Sequence, residues 1–137
     1  MTDCIFCKIV EGKIPAAKIY EDDNVISFLD IMPANKGHCL IITKHHHEHL
    51  LTLKENELNA VMQAAQKVAN AVSVALGCEG YNLVMNNGKI AGQVVMHTHM
   101  HVIPRFSNDG HHIKWEHAKY DGTEMQEYAA KIKKCIE

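Results

Sequence analysis

Three histidines, His97, His99 and His101, alternate with Thr98, Met100 and Val102 in a stretch predicted to run as a strand from Val94 to Ile103 and to close at Pro104. Alternate side chains of a strand share a face, so three imidazoles stand on one side, about 6.7 Å apart along the chain and about 13 Å end to end. One small site does not use all three equally. The middle ring has the best access to whatever occupies the centre, and its neighbours assist from either side. An adjacent pair is also placed to ligate a metal, and a simple three-histidine metal centre is the competing chemical reading. Left on one buried face without partners, each ring would cost about 1–3 kcal/mol, which weighs against a purely structural role. Neutral imidazole, with a reference pKa near 6.5, is a nucleophile toward phosphorus or carbon at neutral pH. A neighbouring ring can then serve as acid or charge stabiliser.

Just upstream, residues 86–93 (Asn-Asn-Gly-Lys-Ile-Ala-Gly-Gln) place two glycines and three carboxamides before the histidines. Such a loop turns N–H groups toward an oxyanion. Of 14 basic residues, balanced by 16 acidic ones, only Arg105 is an arginine. That excludes a nucleic-acid polymer as partner and points to a single phosphate. Cys4 and Cys7 form a C-x-x-C pair among five cysteines. Without a secretory leader, that pattern reads as metal or redox chemistry in a reducing cytoplasm rather than a disulfide framework. No uncharged run is long enough to span a bilayer, so no membrane partner is expected.

The elements that must carry these residues are legible in outline. The 137 residues, 47% hydrophobic and 22% charged, suit one domain with its own core, spanning 1–137, with a motif-bearing part 4–105 and an extension 106–137. Thr2 or Asp3 is expected to cap a short helix from Cys4 to about Val10. A hairpin of Lys18–Glu21 and Val25–Leu29 follows, then strand His38–Thr43 behind the turn-rich segment 33–37. Thr52 and Glu55 form a capping box for one long helix ending at Gly77. Its apolar stripe is Leu58, Val61, Met62, Ala65, Val68, Ala69, Val72 and Leu76. Tyr81–Met85 reads as a strand, and a last helix from about Thr123 has Met125, Tyr128, Ala129 and Ile132 on one face. The expected class is α+β, a mainly antiparallel sheet of about five strands with one long, one short N-terminal and one C-terminal helix.

The blocks Cys4–Ile9, Ile14–Ala16, Tyr20–Asp22, Phe28–Ile31, Gly37–His38, Thr43–His46 and Gly88–Gln93, followed by His97-x-His99-x-His101, resemble the histidine triad (HIT) family, closest to its Hint-like bacterial and archaeal branch. They run in family order from Cys4 to Arg105. The resemblance implies that His99 attacks the α-phosphorus of a nucleotide, giving a nucleotidyl-histidine that water hydrolyses. It implies phosphate contacts for His101 and His38, with His97 as the first triad position. Asn86, Gly92, Gln93 and Val94 match the phosphate-loop stretch, Asp30 the acid that bonds the ribose hydroxyls, and Ile5, Phe6, Ile9, Phe28 and Ile31 an apolar slot for the purine.

Two thiolates need two more donors to complete tetrahedral zinc, and residues 45–49, His-His-His-Glu-His, are the nearby reservoir. In zinc-bearing relatives the ligands align with Cys4, Cys7, His46 and His97. The resemblance thus implies structural zinc and no organic cofactor, with His45, His47 and His49 left as solvated loop residues. Val94 stands where the eukaryotic Hint branch has a serine, and His101, Thr98 and Met100 depart from the hexose-phosphate nucleotidyltransferase branch. The expected activity is hydrolysis of purine nucleoside phosphoramidates or acyl adenylates by a homodimer whose sheet continues across both subunits. Dinucleoside polyphosphate hydrolysis and a zinc-stabilised nucleotide sensor or adaptor are the alternatives.

Overall fold

The computed structural model of the protein describes residues 3–136. Helix α1 (Ile5–Val10) precedes strands β1 (Lys18–Glu21), β2 (Val25–Leu29) and β3 (Cys39–Thr43); helix α2 (Glu55–Leu76), β4 (Gly80–Val84), β5 (His99–Arg105) and α3 (Glu124–Lys134) follow. The five strands form one antiparallel sheet in the order β1-β2-β3-β5-β4. The class is the α+β one expected. No helix among the described residues is long and apolar enough to cross a membrane.

Strands β2 and β3 are almost continuously buried because both faces of the sheet are covered. On one face Val25, Cys39, Ile41, Met100 and Val102 pack against Ala60, Val61, Ala64, Ala65, Val68 and Ala69 of α2. The small side chains let the helix lie close. On the other face Phe6 and Ile9 of α1 cover Ile26, Phe28, Leu40 and Ile42. In register, Leu40 lies opposite His101 and Ile42 opposite His99, so both histidines emerge on the α1 face.

Several boundaries depart from expectation. Thr2 lies outside the described residues. Asp3 caps nothing: the N-cap is Cys4, with no side-chain cap. Helix α2 starts after Lys54, not after a Thr52 cap, since the Thr52 hydroxyl is engaged by the His49 carbonyl in a short 3-10 turn. The buried face of α2 is rotated from the expected stripe: Leu58 and Met62 are exposed, and Glu57, Ala60 and Ala64 lie inside.

The largest departure is in the histidine segment. Strand β5 begins at His99, not Val94, because His97 N–H bonds the Val95 carbonyl and Thr98 N–H the His47 carbonyl, taking residues 95–98 off the ladder. At the far end β5 runs through Pro104. The Pro104 carbonyl is met by the Asn35 amide on the side where β3 has ended, so the missing N–H breaks no ladder bond. Gly37, at φ 96°, leads into β3 where any Cβ would run into Leu76.

Candidate active site and metal centre

The loop-to-strand transition at His97–His99 gives neighbouring rings different jobs. His99, 6% exposed, donates its Nδ1–H to the His97 carbonyl at 2.6 Å, since a carbonyl only accepts. Its Nε2 therefore carries the lone pair. The edge of Phe6 seats the ring at 5.1 Å between centroids. His97 is held the opposite way: its Nε2–H donates to the Thr43 carbonyl at 2.7 Å, leaving the Nδ1 lone pair free. Burial pushes the His97 pKa down to about 4, opposed by the Thr43 bond, so the ring is neutral at pH 7.

His101 lies 5.0 Å from His99 between ring centroids. The Ala34 N–H donates to His38 Nδ1 at 3.0 Å, which puts the His38 proton on Nε2, facing His101 Nδ1 at 2.9 Å. His101 thus carries its own proton on Nε2, as a neutral donor. Burial first, then the neighbouring His99 and His38, push its pKa down to about 4. Burial also lowers His38, against the pull of Asp30, whose carboxylate lies 3.7 Å from His38 Nε2. Asp30, His38 and His101 could be read as a second metal triad. A metal at His38 Nε2 would require a ring accepting at both nitrogens, an imidazolate, so the geometry favours a hydrogen-bond chain.

The amide loop is braced from within. Gln93 is 3% exposed; its Oε1 accepts the Gly88 N–H, and its Nε2 donates to the Glu48 and Val95 carbonyls. It shapes the loop instead of offering a free donor. Gly92, at φ 93°, is backed by the Asn86 amide, and Val94 is fully on the surface. Of the expected apolar slot, Phe6, Ile9 and Phe28 belong to the core under α1, while Ile5 and Ile31 are exposed.

Cys4, Cys7, His46 and His97 converge, with all four ligand atoms within 4.8 Å of one another. Cys4 Sγ lies 3.3 Å and Cys7 Sγ 3.6 Å from His97 Nδ1, and His46 Nδ1 lies 3.3 Å from the same atom. With Zn–N and Zn–S bonds of ordinary length, the edges of a tetrahedron run from about 3.3 Å between nitrogens to about 3.8 Å between sulfurs. The donor chemistry, the spacing and the free Nδ1 of His97 all fit zinc.

His45 is exposed as expected, but His47 is largely withdrawn from water, and both are tied to one carboxylate. Glu57, 1% exposed in the first turn of α2, accepts from His45 Nδ1 at 3.0 Å, from His47 Nε2 at 3.0 Å and from Lys54 N–H at 2.9 Å. Burial alone would raise its pKa; these bonds outweigh it and hold the carboxyl below its ordinary value. The sequence signal for Glu57 was a lone acid on the core-facing side of α2, in step with Ala60, Val61 and Ala64.

Residues 11–108 match the family model described as the HIT domain. A HIT-like protein of Methanocaldococcus jannaschii is 43% identical over 130 residues, covering 95% of this chain and 98% of its own. An adenosine 5'-monophosphoramidase of Schizosaccharomyces pombe is 43% identical over 102 residues, 74% of each chain. An adenylylsulfatase of Arabidopsis thaliana is 37% identical over 136 residues, 98% of this chain and 68% of its own. Among solved structures, a HIT family protein from Bacillus subtilis superposes with a TM-score of 0.93 at 39% identity over 99% of both chains. A zinc-bound histidine triad protein from Mycobacterium smegmatis gives 0.74 at 33% identity over 98% of both. With the matched domain covering most of its length, the chain belongs to the HIT family.

Proposed function

We propose that the protein is a nucleotide hydrolase of the HIT type that cleaves purine nucleoside phosphoramidates or acyl adenylates at the α-phosphate. The observation that carries this is the tautomer of His99: its Nδ1–H is tied to the His97 carbonyl, so Nε2 is a lone pair ready to attack. Relatives named adenosine 5'-monophosphoramidase and adenylylsulfatase support nucleotide hydrolysis. In the first step His99 Nε2 bonds to phosphorus as the bond to the departing group breaks, with His101 Nε2–H holding a non-bridging oxygen. In the second, water displaces the imidazole and releases the nucleoside monophosphate. Val94 brings no hydroxyl to the leaving group, so that group takes its proton from solvent.

His38 would support His101, and Asp30 would take the ribose hydroxyls. Asn86 and Gly92 would face the anion in a loop that Gln93 shapes, and a purine would lie against the exposed Ile5 and Ile31, with the buried Phe6, Ile9 and Phe28 as the floor beneath. Zinc, held by Cys4, Cys7, His46 and His97, would be structural: it would pin α1 to the segment before β5 and so fix the carbonyl that orients His99. The thiolates it needs suit a reducing cytoplasm.

A neutral or weakly charged leaving group is favoured over a long polyphosphate. Beyond His101 on the same face lies a cavity of about 190 Å³ whose lining includes Val84, Ile103 and Ile113 with Arg105, His111 and His112. The guanidinium there is already spent on Asp109, Asn82 and the His111 carbonyl. A panel of phosphoramidates, acyl adenylates and dinucleoside polyphosphates compared by kcat/KM tests this, with rapid-quench peptide mapping for a nucleotidyl group on His99. Preference for the polyphosphates, or no adduct on His99, defeats the proposal.

We also infer a homodimer. Among the described residues the outer edge of β4 is unpaired, and apolar side chains are exposed on both α2, at Leu58 and Met62, and β4, at Tyr81 and Leu83. Light scattering should give twice the chain mass; a monomer at micromolar concentration rejects this.

A further inference from the structure

The segment between β3 and α2 presents His46 to the metal cluster, yet His46 is an exposed residue in a loop. Among the described residues, its ring bonds only the other ligands, Cys7 Sγ at 3.4 Å and His97 Nδ1 at 3.3 Å. Its aim must come from its neighbours, and both are pinned. The His45 carbonyl accepts from the Thr43 hydroxyl, and the His47 carbonyl accepts from both Thr98 N–H and the Thr98 hydroxyl. Both flanking side chains then converge on one buried carboxylate, Glu57, from the far side of the loop.

We propose that Glu57 is a positioning residue for the metal centre: by clamping His45 and His47 it fixes the direction in which His46 presents Nδ1. The bland alternative is that Glu57 only caps the start of α2. That role uses one oxygen, for Lys54 N–H, and needs no burial of the carboxylate. Here the second oxygen is given to histidine, and the side chain is withdrawn from water. Carboxylates in metal sites more often bond the ligating imidazole itself; this one bonds the residues on either side of it.

The inference rests on the zinc reading above, and one experiment separates the two. Zinc affinity is measured by competition with a chromophoric chelator, and melting is recorded with and without zinc, for the wild type, Glu57→Gln and Cys4→Ser. The expected result is zinc binding about 10–100-fold weaker in Glu57→Gln, a smaller zinc-induced rise in Tm, and a metal-free Tm close to wild type. A pure cap would lower both melting points equally and leave affinity within about twofold, which overturns the clamp alone. If wild type binds zinc no better than Cys4→Ser, the metal reading fails and the clamp with it. Should Glu57→Gln not fold, the His45→Gln/His47→Gln double variant decides, as it spares the carboxylate and the helix start. Weakened zinc binding supports the clamp, and unchanged binding rejects it.

Discussion

His97 and His99 sit two residues apart and carry opposite tautomers, and the difference comes from the backbone each one meets. His97, still off the ladder, reaches across to the Thr43 carbonyl with Nε2 and turns Nδ1 toward two sulfurs and a second imidazole. His99, the first residue of β5, folds its Nδ1 back onto the His97 carbonyl and turns Nε2 outward. On the proposed function, one side-chain chemistry serves as a metal ligand in one place and as a nucleophile in the other. What separates them is which nitrogen a fixed carbonyl has already claimed. The two are also coupled, because the carbonyl that orients the His99 ring belongs to His97, whose own ring faces Cys4, Cys7 and His46.

The sharpest way to break this comparison is to exchange readouts between the two positions. His99→Asn should lower kcat/KM by more than about 10³-fold while zinc affinity stays within about twofold of wild type. His97→Asn should weaken zinc by at least about 100-fold and lower the melting temperature of the zinc-loaded protein. Its activity should fall less than that of His99→Asn, since residue 97 keeps its backbone carbonyl. Chelator competition and steady-state kinetics on the same two preparations supply all four numbers. Equal losses of both properties in both variants would mean the rings are not specialised.

This division was only partly legible in the sequence. Alternation placed His99 and His101 on one face, as the register with Ile42 and Leu40 bears out, and marked the middle ring for the central role. It also placed His97 in the same strand, which is wrong. The apolar run Val94-Val95-Met96 extends the strand-like pattern upstream of the histidines, but the tie from Thr98 to the His47 carbonyl overrides it, and a contact 51 residues away leaves no local trace. Helix α2 shows the same limit. Its period and its end at Gly77, in the left-handed conformation, were readable. Glu57 also turns inward, to the histidine loop, beside Ala60 and Ala64, which no periodicity of apolar residues reports. Helical spacing put Leu58 and Met62 on the apolar stripe, and the chain leaves them exposed.

The mildest test concerns His101, the third ring, which carries its proton toward the pocket and ligates nothing. Its pKa is about 4 in the folded chain against 6.5 when free, because burial and the adjacent His99 and His38 disfavour the charged form. Above pH 6.5 the ring is neutral in both states and contributes no pH dependence. Between pH 6.5 and 4 the unfolded chain takes up a proton that the folded chain refuses, so stability must fall on acidification through that window. The slope is at most about 1.4 kcal/mol per pH unit, and screening at a partly open site reduces the total to about 1–2 kcal/mol. His101→Gln removes the titrating ring, and zinc release, shared by both proteins, cancels in the difference. Urea unfolding of the pair at pH 7 and pH 5 should therefore show the wild type losing more stability than the variant. Parallel losses would mean that His101 takes up its proton as readily in the folded chain as in the unfolded one, and the donor assigned to the phosphate oxygen would then become a cation on the acid side of pH 6.5 instead of staying a neutral ring.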